Sequence, residues 1–266
     1  MSENVEAPLK NPLLERIRLP GETFTLPSGG LFYNNGELGP HVTNAEVRVY
    51  PMTAIDEITI KTPDMLFSGD AIREVFERCI PDIANVDMLL AKDIDFLIVC
   101  LRKITYGDEY RVKHTHTCEE AKEHTYSIDI ANFIRESKRI DPTTISTKFN
   151  INLSNGQVVH LQPLRFKHFV DVMQASDYDD TLTPALKRDR LIKSISNVIS
   201  AVDEVTNVEF IREWLKSISS DDIKKINNGV EKTMDWGAGL EMKTNCKDCN
   251  NSMQITAPMN PLYFFT

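Results

Sequence analysis

Residues 244–251 read TNCKDCNN, a Cys-x-x-Cys motif between two segments that alternate polar and apolar residues. Such a motif is typical of the knuckle of a zinc ribbon, in which a hairpin turn brings two thiolates to one side of its tip. A tetrahedral zinc ion needs four ligands, and Cys246 and Cys249 supply two of them. The motif therefore predicts that a distant segment of the chain folds back onto the C-terminal hairpin.

The second half of this site is expected at residues 114–124, which read HTHTCEEAKEH. Along an extended strand His114, His116 and Cys118 share one face, whereas His124 returns on the opposite strand. Either Cys118 with His124, or His116 with Cys118, completes a site of three cysteines and one histidine. We expect His116 to be the substitute ligand or a neighbour that orients the others. The expected zinc ligands are Cys118, His124, Cys246 and Cys249.

A closed site of this kind predicts a structural zinc rather than a catalytic one. Four protein ligands leave no coordination position for a reacting water. A redox role for the dithiol is disfavoured, because a strand follows the motif and reactive dithiols lie at helix N-termini. The alternative that His114, His116 and His124 are exposed residues of a polar hairpin stays open.

The composition shows which classes of protein fit the chain. At 266 residues, with 41% hydrophobic residues, it can form a core without help from a metal. A formal charge of −9 argues against general nucleic-acid binding, because phosphates are bound by clustered Lys and Arg. No apolar run is long enough to span a membrane and the first residues lack a signal peptide, so we expect a cytosolic protein.

The chain has five cysteines, an odd number that favours metal binding or buried thiols over a disulfide framework. Cys79 shares a helical face with Ile72 and Val75, and Cys100 ends an apolar run. Both are expected to be core residues, because free thiols behave as small hydrophobic groups.

The periodicity of apolar residues predicts an α+β fold, a mainly helical body with several short β-hairpins. Two of these hairpins, at residues 109–130 and 240–257, form the composite zinc-ribbon-like site. Residues 1–50 are rich in Pro and Gly and are expected to form an extended N-terminal arm with short strands. Residues 51–266 form the body.

Three further segments lead to structural predictions. Residues 148–162 are expected to form a hairpin, because Asn155-Gly156 favours a tight type I′ turn. Apolar residues recur at helical spacing over 191–202, which predicts one amphipathic helix there. The closing residues 262–265 are too apolar to stay in water, so they pack under the zinc hairpin or dock into a partner.

Signatures of catalysis are absent from the sequence, so we expect no enzyme. There is no Gly-x-Gly-x-x-Gly, no Walker loop, no Gly-x-Ser-x-Gly and no His-Glu-x-x-His. The acidic residues Asp177, Asp179 and Asp180 lack the Gly turn and trailing Glu of a calcium loop. Together with His168, they are the residues an unrecognised active site would use.

Several short segments from about Leu26 to the end of the chain are distinctive. They include Pro51-Met52-Thr53, Leu66-Phe67-Ser68-Gly69-Asp70, Cys79-Ile80-Pro81-Asp82, Thr105-Tyr106-Gly107 and Asn260-Pro261-Leu262-Tyr263-Phe264-Phe265. In these segments the chain resembles the baseplate hub proteins of contractile-tailed bacteriophages of the T-even type. The resemblance implies a Cys-x-x-Cys in the middle hairpin as well, and in this chain Ala121 replaces the second cysteine of that motif.

The resemblance implies a structural or assembly protein of the tail baseplate hub that contacts other hub and tail subunits. Its expected locations are the host cytoplasm during assembly and the virion tail baseplate if it stays in the particle. The alternative is a zinc-ribbon protein with a nucleic-acid-binding or regulatory role. The negative charge and the lack of interleaved aromatic and basic residues around Cys246 and Cys249 weigh against that alternative.

Overall fold

A computed structural model describes residues 19–34, 36–118, 122–168, 170, 183–239, 241–256 and 264–265, which form an α+β fold with small antiparallel sheets. The helices are α1 (Ala54–Ile60), α2 (Pro63–Ser68), α3 (Asp70–Cys79), α4 (Ala91–Tyr106), α5 (Ile130–Glu136), α6 (Ile145–Lys148), α7 (Pro184–Asn197), α8 (Val208–Leu215) and α9 (Ser220–Thr233). The strands are β1 (Glu22–Thr25), β2 (Glu46–Val49), β3 (Glu109–Thr115), β4 (Glu123–Asp129), β5 (Asn150–Asn152), β6 (Val158–Leu161), β7 (Ile199–Val202), β8 (Glu241–Asn245) and β9 (Ser252–Thr256).

Local side chains determine where several helices begin and end. The Ser219 hydroxyl accepts a hydrogen bond from the backbone N–H of Asp222 at the start of α9. The Asn207 side chain does the same for Glu209 at the start of α8. These caps pair N–H groups that have no partner inside a helix. Gly107, with a φ of 87°, ends α4 and directs the chain into β3.

The first hydrophobic core surrounds α4. This helix buries side chains on most of its circumference, and Leu97, Val99 and Cys100 are completely enclosed. A helix that is apolar on nearly all sides is buried on all sides. Cys79 on α3 belongs to the same core, so both cysteines expected to be buried thiols are buried.

Part of the predicted N-terminal arm packs in this first core. Strands β1 and β2 pair with Phe24 opposite Val47, and both side chains are buried. The Phe24 ring meets the Phe96 ring of α4 edge to face, with centroids 6.5 Å apart. Between these strands, residues 31–32 form a turn, in which Phe32 has a φ of 67°. Residues 1–18 of the predicted arm lie outside the described residues.

The second core lies between the sheet β5–β6–β7 and helices α7, α8 and α9. Val159, Leu161 and Ile199 of the sheet are buried in it. Helix α9 approaches β5 closely at Gly229, where an added Cβ would stand 2.2 Å from Ile151 Cδ1. This close approach explains a glycine inside a helix, where glycine is otherwise unfavourable.

The prediction of one helix over residues 191–202 is wrong for its last residues. Helix α7 ends at Asn197, and Ile199–Val202 forms β7 instead. The strand pairs with β6, with Val159 opposite Val202, and extends the predicted hairpin to three strands. The apolar spacing of residues 199–202 fits a helix, but these residues form backbone hydrogen bonds with the edge of β6 instead. Pairing with a distant strand therefore decides their conformation, and the local sequence pattern does not.

The chain returns to the first core at its C-terminal end. Strands β8 and β9 place Met253 and Ile255 in that core, together with Phe264 and Phe265, both completely buried. The Phe264 ring packs against Tyr110 of β3, with centroids 4.9 Å apart. Phe264 and Phe265 therefore pack in the core of their own chain. Residues 262 and 263 lie outside the described residues. Among the described helices, none combines the length and apolar character that crossing a bilayer requires.

Candidate metal centre

The predicted hairpins at residues 109–130 and 240–257 lie against each other at their tips. In the first, β3 and β4 pair with His114 opposite His124. In the second, β8 and β9 end with Asn245 opposite Ser252. The ammonium group of Lys247, in the second tip, donates to the carbonyl oxygen of Thr125 at 2.7 Å. Direct contacts between protein groups therefore join the two hairpins.

Tyr126 of β4 adds to this contact. Its hydroxyl accepts a hydrogen bond from the backbone N–H of Lys247 at 3.4 Å. The Lys247 ammonium lies 5.0 Å from the centre of the Tyr126 ring, within the range of a cation–π interaction. The ring thus fixes the second tip over the first strand pair.

The Cys-x-x-Cys segment forms a tight turn between β8 and β9. The N–H of Cys246 donates to the carbonyl of Asn251 at 2.9 Å, and the N–H of Asn250 donates to the carbonyl of Cys246 at 3.0 Å. Asn250 adopts a φ of 58°, a left-handed conformation that asparagine tolerates better than most residues. The turn presents Cys246 and Cys249 to the same side.

Four side chains converge where the hairpin tips meet. The ligand atoms of His116, Cys118, Cys246 and Cys249 all lie within 4.8 Å of one another. The Cys249 sulfur is 3.4 Å from His116 Nδ1. A tetrahedral zinc with bonds of about 2.3 Å to sulfur and 2.0 Å to nitrogen separates two such ligands by about 3.5 Å. Three thiols and one imidazole also form a donor set that zinc prefers, so the residues fit this ion.

The histidine in the cluster is His116, the expected substitute, and not His124, the preferred ligand. His124 Nε2 lies 2.8 Å from the Asp248 carboxylate, although its N–H is not aligned for a hydrogen bond. His124 sits on β4, directly opposite His114 and facing this carboxylate. His116 follows the end of β3, and its position in the turn lets it reach the knuckle. Ala121 lies outside the described residues.

Backbone groups act differently on the two knuckle thiols. The N–H groups of Cys249 and Asp248 point at the Cys246 sulfur and lower the pKa of that thiol. The N–H of Asn251 has the same effect on Cys249, but burial and the neighbouring thiols outweigh it, so the pKa of Cys249 is raised. Thiolates crowded together repel one another, and a divalent cation among them removes that cost.

Three residues at this centre were not found from the sequence: Tyr126, Lys247 and Asp248. Asp248 could have been predicted from the sequence, because it lies between the two cysteines and its side chain must be close to any metal ligand there. Of the residues considered for catalysis, His168 is not part of the cluster. Asp177, Asp179 and Asp180 lie outside the described residues.

Comparison with known protein families gives a match over most of the chain. A family model described as "T4 bacteriophage base plate protein" matches residues 23–266. The matched part contains both hairpins and both hydrophobic cores. Neither a curated protein nor a solved structure matches the chain.

Proposed function

This chain belongs to the T4 bacteriophage base plate protein family, and on that premise we propose that it builds the hub of the tail baseplate. The family makes it a structural protein of the phage tail. Within the tail, its proposed role is that of a hub component or hub-assembly protein, acting through contacts with other hub and tail subunits. The observation that carries this proposal is the match over nearly the whole chain.

The proposed role needs no catalytic centre. The four-residue cluster would surround a metal completely, which leaves no position for a substrate or a reacting water. Its contribution is structural. A zinc ion held by His116, Cys118, Cys246 and Cys249 fastens the middle hairpin to the C-terminal one, and the middle hairpin also carries Tyr110, on which Phe264 packs.

The alternative role, a zinc-ribbon protein that binds nucleic acid, has less support. The chain carries a formal charge of −9. Lys247, a cation of the knuckle itself, is engaged with the Thr125 carbonyl and the Tyr126 ring. Nucleic-acid binding depends on basic groups that are free to meet phosphates.

Isolation of tail baseplates and of their assembly intermediates tests the proposed role. Mass spectrometry of both fractions, taken from phage-infected cells, detects the chain directly. We expect it to copurify with hub subunits in at least one fraction. Its presence in finished particles identifies a virion component, and its restriction to intermediates identifies an assembly protein. Absence from both fractions contradicts the proposal.

A further inference from the structure

An apolar groove of about 760 Å³ lies where the two hydrophobic cores meet. Ile94 and Ile98 of the first core and Ile195 of the second line its walls. Three large apolar side chains that also line it remain exposed to water: Phe67 at 45%, Leu191 at 57% and Met234 at 51%. Concave apolar surfaces of this size are typical of binding sites.

The groove also contains a carboxylate. Asp95 of α4 lines the groove beside Lys92, is half-buried, and within the described residues accepts no hydrogen bond and forms no ion pair. Burial raises the pKa of Asp95 to about 6, and the charge of Lys92 only partly opposes this shift. A second cation, brought by a bound molecule, would stabilise the charged form of this carboxylate.

A basic cleft adjoins the groove at Val170, which lines both. Among the described residues, the Lys167 ammonium has one contact, the Met88 sulfur at 3.6 Å. The charged residues that line it are Arg73, Lys167, Lys193, Arg212 and Asp70. Arg73 pairs with Asp70 and Asp87, and Arg212 pairs with Glu209, which leaves Lys167 to meet an acidic group.

We propose that the groove binds a peptide segment of a neighbouring baseplate subunit, with apolar side chains between a basic residue and an acidic one. The apolar side chains fill the groove, the basic residue pairs with Asp95, and the acidic residue meets the cleft at Lys167. Charge complementarity at both ends selects this occupant. The inference rests on the proposed function, because the partner is a baseplate subunit. A bound segment touches both cores and so fixes one against the other.

Photo-crosslinking in assembled baseplates tests this inference. The variant Phe67→p-benzoylphenylalanine places a photoreactive group beside the groove. Phe210→p-benzoylphenylalanine is the matched control, because Phe210 is also an exposed aromatic residue but does not line the groove. We expect irradiation at position 67 to label one peptide of another baseplate subunit, with Lys or Arg and Asp or Glu flanking apolar residues. Position 210 should not label that peptide.

A second substitution in the Phe67 variant tests the charges. Asp95→Asn and Lys167→Glu should each reduce the crosslinking yield at least about tenfold, because each leaves a partner charge unpaired. Asp64→Asn, at an exposed position of α2 outside the groove, should leave the yield unchanged. Unfolding midpoints equal to that of the parent show that each variant is folded.

Any of the following results overturns the inference: crosslinks confined to this chain, the same peptide labelled from both positions, or a yield unaffected by Asp95→Asn or by Lys167→Glu. Mass spectrometry of the same baseplates separates this failure from that of the proposed function. If the chain is present without the crosslink, the groove proposal is wrong and the baseplate role stands. If the chain is missing from baseplates and intermediates, both are wrong.

Discussion

Asp93 joins the segment that contains Ser28 and Tyr33 to α4, and its carboxylate is buried. Its carboxylate is completely enclosed and accepts hydrogen bonds from the Ser28 N–H at 3.1 Å and the Tyr33 hydroxyl at 2.9 Å. Burial raises the pKa of Asp93 to about 6, even though these hydrogen bonds act in the opposite direction. The folded protein therefore holds a proton that the unfolded chain, with an ordinary pKa near 3.9, releases.

The sign of the resulting pH dependence follows from this difference. Between about pH 4 and pH 6 the folded state binds more protons than the unfolded state, so Asp93 makes the free energy of unfolding fall as pH rises. The total change is about 3 kcal/mol for a shift of about two pKa units. We expect the free energy of unfolding of Asp93→Asn, relative to that of wild type, to rise by that amount from pH 4 to pH 7.

Urea unfolding of wild type and Asp93→Asn at several pH values measures this change. Asp64→Asn, which removes an exposed carboxylate on α2, is the control for loss of an acidic group. A stability difference between wild type and Asp93→Asn that stays constant from pH 4 to pH 7 contradicts the prediction.

At the scale of elements, Gly229 determines how closely α9 packs on β5. An alanine Cβ at this position would stand 2.2 Å from Ile151 Cδ1 and 2.9 Å from Ile151 Cγ1. Alanine is favoured over glycine in a helix by about 1 kcal/mol, but overpacking a core costs about 1–3 kcal/mol. We expect Gly229→Ala to lower the free energy of unfolding by up to about 2 kcal/mol, the difference between these two effects.

Urea denaturation compares this variant with Asn228→Ala, an exposed neighbour on the same helix. The control should be neutral or slightly stabilising, because alanine is a better helix former than asparagine. Equal or greater stability of Gly229→Ala would show that the helix and the strand do not pack as closely as described.

The elements also show how much of the fold could be predicted from the sequence. Strand alternation and turn residues place the outer ends of the hairpins expected at 109–130 and 240–257 within about one residue of the observed ends, because these signals are local. Strand β7 could not be predicted, because Ile199–Val202 becomes a strand only by pairing with β6. The choice between His124 and His116 could not be made from the sequence, since the contact of Asp248 with His124 and the approach of His116 to the cysteines exist only once the two hairpins meet.

At the scale of the whole molecule, the proposed zinc acts on one core rather than on both. The hairpins that hold the ligands belong to the first core, whereas β5–β6–β7 and α7–α9 form the second. We expect a chelator to speed hydrogen exchange in Glu109–Thr115, Glu123–Asp129, Glu241–Asn245 and Ser252–Thr256. The second core should stay protected, because its opening does not involve the metal.

Hydrogen exchange followed by mass spectrometry, with and without chelator, measures this difference. The strands β5, β6 and β7 serve as the internal control. Faster exchange that is uniform over both cores, or no change in the two hairpins, contradicts a zinc ion that acts locally.

In the proposed centre, one metal ion joins the middle of the chain to its C-terminal hairpin through His116, Cys118, Cys246 and Cys249. Elemental analysis of purified wild type, Cys118→Ser, His116→Ala and His124→Ala measures whether these residues hold it. We expect one zinc ion per chain in wild type and in His124→Ala, with loss of most of it in the other two. Full zinc content in Cys118→Ser, or loss in His124→Ala with retention in His116→Ala, would rule out this ligand set.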